Sequence, residues 1–160
     1  MTDKVEFSLY DPDNVLKKLK QFPDALRYKG ARFALRKAAN LVAAEAKQNA
    51  LRLDDPATAS AIAENIAVRF SNRTFKRTGN VLFRVGVMGG ARLQDQEKSA
   101  ALPGKGTQHW RLLEFGTEKA RARPFLRPAL ENNINKATDE FIRQLDRWIG
   151  RNLKKIDKIG

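Results

Sequence analysis

Cysteine is absent from the 160 residues, and His109 is the single histidine. No disulfide is therefore open to the chain, and a cysteine nucleophile or a thiolate zinc site is excluded. One imidazole leaves little room for a multi-histidine metal centre. Long apolar runs are also missing: nothing approaches the roughly 18 residues that a membrane-spanning helix needs. The polar start MTDKVEFS lacks the apolar core of a signal peptide. A soluble, unsecreted protein with no membrane partner is expected, in keeping with a reducing cytoplasm. Acids are the other shortage. Against 18 Asp and Glu stand 31 Lys and Arg, a net charge of +13, and such a surface attracts polyanions and acidic protein faces.

The acids present do not form a catalytic or metal-binding set. Asp54 and Asp55 are adjacent, and Asp95 and Glu97 lie in a loop, without a histidine or a calcium-loop pattern beside them. Pro103-Gly104-Lys105-Gly106-Thr107 has the flavour of a phosphate loop but lacks the G-x-x-x-x-G-K-[ST] spacing and a preceding apolar strand. His109, beside Trp110, has no nucleophile or acid in a recognisable arrangement and reads as structural. Glu114 reads as a partner for a nearby arginine, or as an acceptor for backbone N–H groups at the Gly116 turn. No enzyme and no cofactor is expected.

Hydrophobic spacing predicts the elements. Val5, Phe7 and Leu9 alternate with polar residues as a short strand would. Asp11 as N-cap and Pro12 at the first helical position begin a helix that carries Val15, Leu16, Leu19 and Phe22 on one side and stops at Pro23. From about Asp24 to Leu53 the stripe Leu35, Ala38, Val42, Ala46, Leu53 predicts a long alanine-rich helix, with Gly30 a candidate interruption near its start. The period then changes to two. Ile66, Val68 and Phe70, then Val81, Phe83, Val85 and Val87, predict two antiparallel strands joined by the polar connection 71–80, with Phe75 as its anchor.

Residues 89–107 read as a long flexible loop. Leu126, Leu130, Ile134, Phe141, Leu145, Trp148, Ile149 and Leu153 then recur at helical steps, predicting one helix from about 124 to 156. At about 1.5 Å per residue it would measure roughly 45 to 50 Å and project from a compact domain. Its exposed Trp148, Ile149, Leu153 and Ile156 would then call for a partner, the alternative being a bent helix wrapped on its own core. No internal repeat is present. The whole reads as a single α+β domain over 1–160, a small antiparallel sheet packed against the alanine-rich helix and the long C-terminal helix.

Arg69, Arg73, Lys76, Arg77 and Arg84 follow one another without an intervening acid, Lys119, Arg121, Arg123 and Arg127 form a second group, and Arg143, Arg147 and Arg151 repeat along the last helix. These groups suit phosphate contacts that do not read sequence. They equally suit a solvated face or an acidic subunit neighbour.

The most telling stretch is 109–130, HWRLLEFGTEKARARPFLRPAL. Gly116 permits a turn where a side chain would clash, Thr117 can hydrogen-bond locally to hold it, and Pro124 and Pro128 suit a first helical turn. Leu113-Glu114-Phe115-Gly116-Thr117 followed by Arg123-Pro124-Phe125-Leu126-Arg127-Pro128-Ala129-Leu130 resembles the signature of the tail-completion (neck) family of long-tailed bacteriophages. The resemblance implies a virion structural protein at the head–tail junction, made in the bacterial host cytoplasm. It further implies a homo-oligomeric ring, with six as the candidate copy number, that meets the tail terminator and the head-completion or connector proteins. Glu114 to Thr117 would then hold the turn, and Pro124, Phe125, Leu126 and Pro128 would seat the last helix. Arg73, Lys76, Arg77, Arg121 and Arg123 would face partners or packaged DNA. The alternative is a nonspecific basic nucleic-acid-binding protein.

Overall fold

A computed structural model of the chain describes residues 11–53, 61–89 and 101–156. The fold is α+β. Its elements are α1 (Pro12–Lys20), α2 (Asp24–Leu51), α3 (Ile62–Asn65), β1 (Ile66–Phe70), α4 (Asn72–Thr78), β2 (Phe83–Val87), α5 (Trp110–Phe115), α6 (Leu126–Glu131) and α7 (Ile134–Ile156). The expected strand around Val5 to Leu9 lies outside the described residues, as do Asp54, Asp55, Asp95 and Glu97.

The chain divides into two compact units, Met1–Ala38 with Asn135–Gly160, and Ala39–Ile134. In the first, Asp11 caps α1 by accepting from the Asp13 N–H at 3.1 Å, with Pro12 in the first turn. Val15, Phe22 and Ala34 pack with Ile142, Leu145, Trp148 and Ile149 into one buried cluster. Phe22 meets the Trp148 indole at a ring distance of 5.4 Å. Gly30 does not interrupt α2. It is buried, and a Cβ there would stand 2.7 Å from Trp148 Cε3, so the position is held open for an indole rather than marking a helix end.

Trp148 is 9% and Ile149 1% exposed, so these two are core residues and not the bare side chains of a projecting helix. The single helix from 124 to 156 is corrected as well. It breaks at Asn132 and Asn133 into α6 and α7. The Asn132 N–H donates to Pro128 O at 3.0 Å and Asn133 Nδ2 to Ala129 O at 3.0 Å. A side-chain amide thus takes up a carbonyl in the last turn of α6.

In the second unit, α2 buries Val42, Ala43, Ala46 and Ala50, a face of small side chains that lets neighbours approach closely. The strands pair antiparallel in the register Ile66↔Val87, Val68↔Val85, Phe70↔Phe83. Among the described residues the sheet has two strands. The connection between them is not a plain loop: Asn72–Thr78 forms α4, ended by Gly79 in the left-handed region at φ 72°. Phe75 does anchor it, its ring 5.7 Å from Phe70, which in turn lies 5.4 Å from Phe83.

Candidate functional site

The joint between α5 and α6 is built around one buried carboxylate. Glu114 is 1% exposed. Its Oε2 accepts from the N–H groups of Phe125 at 2.8 Å and Leu126 at 3.0 Å, and its Oε1 from the Arg127 N–H at 3.1 Å and Arg127 Nε at 3.2 Å. Arg127 Nη2 also donates to the Glu114 carbonyl at 2.7 Å. The first N–H groups of a helix have no intrahelical acceptor, and here a side chain from the preceding helix supplies one. Burial by itself raises the carboxyl's pKa. The N–H groups of Leu126, Phe125 and Arg127, then the Arg127 side chain, outweigh it and hold the group below the ordinary glutamate value.

Both expected kinds of partner for Glu114 are therefore present, an arginine and backbone N–H groups. The N–H groups belong to the start of α6, however, and not to the Gly116 turn. That turn is held differently. Gly116 has φ 75°, and a Cβ on it would stand 2.8 Å from the Ala122 nitrogen. The Thr117 N–H donates to Ala120 O at 2.9 Å, and Thr117 Oγ1 accepts from the Ala120 N–H at 3.0 Å. The Arg123 N–H returns to Leu113 O at 2.7 Å. Pro128 lies in the first turn of α6, where its missing N–H costs nothing. Pro124 falls just outside the helix, before Phe125. Phe125 is fully buried, and its carbonyl accepts from Asn49 Nδ2 at 3.3 Å.

Around this joint lies a surface of mixed character. Leu112 is 57% and Phe115 64% exposed, and the Arg127 guanidinium sits 5.4 Å from the centre of the Phe115 ring. Leu112, Leu113, Thr117, Ala120, Arg121 and Arg123 line an open cavity of about 580 Å³. Arg73, Lys76 and Arg77 are exposed on α4, away from any acidic partner among the described residues.

Sequence reasoning missed a second hub. Asn65 is fully buried. Its Nδ2 donates to Lys105 O at 2.9 Å and Thr107 Oγ1 at 2.7 Å, and its Oδ1 accepts from the Gly104 N–H at 2.8 Å. A Cβ on Gly104 would collide with the Ala61 carbonyl oxygen, and Lys105 has φ 54°. The glycine-rich segment 104–107 is thus anchored by Asn65, while residues 90–100 of the expected 89–107 loop lie outside the described residues. An asparagine set between the apolar runs 61–63 and 66–68 was the available signal.

No three His, Cys, Asp or Glu side chains among the described residues converge as a metal site, and no helix among them is long and apolar enough to cross a membrane. No curated protein and no solved structure matches the chain. A family profile described as "Bacteriophage HK97-gp10, putative tail-component" matches residues 13–116. It covers α1 through Gly116, including Glu114, and stops before Thr117 and the Pro124 to Leu130 motif. This chain, a structural component of a bacteriophage tail and so a part of the virion, belongs to the HK97-gp10-like family.

Proposed function

We propose that the protein completes the tail at the head–tail junction, assembling as a ring of copies, six being the candidate number, that joins tail to head. Its immediate partners would be the tail terminator and the head-completion or connector proteins, met in the host cytoplasm during assembly. The observation that carries this reading is the Glu114 joint. Three backbone N–H groups and one arginine fasten α5 to the start of α6. Leu112 is thereby presented beside Arg121 and Arg123, and Phe115 beside Arg127. Large apolar side chains this exposed, next to cations, suit contact with another subunit better than contact with water. In this reading Glu114 to Thr117 and Pro124 to Pro128 are scaffolding for the interface, and the mechanism is assembly rather than chemistry.

The test is complementation of a phage that lacks this gene with Leu112→Glu and Phe115→Glu variants, shown to be folded by circular dichroism. Separate heads and tails should accumulate in electron micrographs. Joined, infectious particles at the wild-type level would sink the proposal.

A further inference from the structure

Between Glu64 and Asp95 the sequence holds no acid. Its described part carries Arg69, Arg73, Lys76, Arg77 and Arg84, all exposed and none paired with an acidic side chain among the described residues. The arginines of α7 are in a different condition: Arg143 Nε donates to Glu140 at 2.9 Å, and Arg151 lies 5.6 Å from the centre of the Phe33 ring.

The five cations gather at the connection end of the β1–β2 ribbon and point to two sides of it. Arg69 stands directly opposite Arg84, one rung from the Phe70↔Phe83 end. Like charges placed so repel each other. They share a ribbon face with Ala67 and Gly86, and these four help to line an open cavity of about 350 Å³. A Cβ on Gly86 would meet nothing within 4 Å, so the floor leaves room for another backbone to come close. The opposite ribbon face carries Phe70 and Phe83, and Phe75 of α4 packs there. At about 100° per residue, Arg73 and Arg77 fall on the side of α4 turned away from Phe75, with Lys76 on its flank. Positive charge thus covers both sides of an aromatic layer.

We propose that this end of the ribbon binds duplex nucleic acid, its exposed cations taking backbone phosphates. Contacts of this kind position without reading sequence. A duplex carries one negative charge per about 1.7 Å of its axis. That is roughly twice the density that an extended acidic polypeptide can offer at about 3.3 Å per residue, and so suits five cations gathered in a short span better. The inference does not depend on the assembly reading. It is tested on the purified chain, so failure here leaves head–tail joining untouched.

The experiment is fluorescence anisotropy with a short labelled duplex DNA over a salt series. It compares the wild type with Arg69→Gln/Arg84→Gln, Arg73→Gln/Lys76→Gln/Arg77→Gln and, as control, Lys17→Gln/Lys20→Gln at exposed positions of α1, each checked for fold by circular dichroism. Each lost phosphate contact makes the slope of log K against log salt shallower by roughly 0.9. The ribbon pair should therefore flatten it by roughly 2 and the helix triple by up to roughly 3, while the control stays near wild type. Poly-glutamate serves as the second probe. Wild type that does not bind the duplex, a slope changed from one side only, or an equal change in the control would overturn the proposal. So would variants that lose poly-glutamate and keep the duplex, which would assign the surface to an acidic protein.

Discussion

Gly30 lies against the indole of Trp148 so closely that a single added methyl would stand 2.7 Å from Cε3 and 2.9 Å from Cζ3. The contact sets helix propensity against packing. Exchanging glycine for alanine inside a helix ordinarily stabilises by about 1 kcal/mol. Overpacking a well-filled core costs about 1–3 kcal/mol, and the ring cannot swing away because Phe22 packs against it. Gly30→Ala should therefore destabilise the protein by about 1 kcal/mol in urea unfolding. The loss should shrink when Trp148→Leu is added, and a double-mutant cycle reads that coupling. A Gly30→Ala variant that melts higher than wild type would show that the indole does not fill this space.

The Glu114 joint gives a graded expectation. Glu114→Ala strands three N–H groups at the start of α6, one of them at the fully buried Phe125, and should cost about 2–4 kcal/mol. Glu114→Gln keeps one acceptor oxygen and should cost about half as much. Arg127, whose side chain is 54% exposed, contributes less, and Arg127→Ala should cost about 1 kcal/mol or below. If Arg127→Ala proved as damaging as Glu114→Ala in denaturant titration, the ion pair and not the cap would be the stabilising feature.

The pH dependence follows from the same carboxylate. Its folded pKa lies below the unfolded value, so the folded state favours the ionised form. That stability is fully present above the unfolded glutamate pKa of about 4.3. It is lost progressively as pH falls from there through the folded pKa. Wild type should lose its advantage over Glu114→Gln across this acid window and keep it unchanged between pH 6 and 8, as thermal melts at a series of pH values would reveal. A constant gap down to strongly acid pH would be incompatible with the cap as described.

Asn65→Asp offers a nearly isosteric test of the second hub. The change keeps an acceptor for the Gly104 N–H but sets a carboxylate oxygen against the Lys105 carbonyl in place of the Nδ2 donor. A destabilisation of about 2–4 kcal/mol is expected, close to that of Asn65→Ala. Amide exchange at Gly104 should accelerate by a similar energetic margin. Unchanged protection there would remove Asn65 as the anchor of residues 104–107.

What the sequence revealed depended on whether an element carried apolar periodicity. α2 was visible because Leu35, Ala38, Val42, Ala46 and Leu53 recur at helical steps, and the ribbon because its residues alternate. α4 was not, since six of its seven residues are polar or basic and Phe75 alone marks its inner side. Its readable signal was Gly79, a helix-ending glycine after a basic turn. The break at Asn132 and Asn133 was hidden for the opposite reason: Leu130 and Ile134 keep the four-residue step straight across it. At the candidate site the partners of Glu114 were legible in kind. Their location was not, because the segment between α5 and α6 turns back on itself through Gly116 and Thr117.

The short reach of the Glu114 bonds also bears on the order of folding. All four donors to its carboxylate lie 11 to 13 residues downstream, whereas Asn65 draws its partners from 39 to 42 residues away. Closing the shorter loop costs about 1 kcal/mol less chain entropy. The motif at 113–130 can accordingly take shape from its own sequence neighbours, before the ribbon and its distant anchor have found each other.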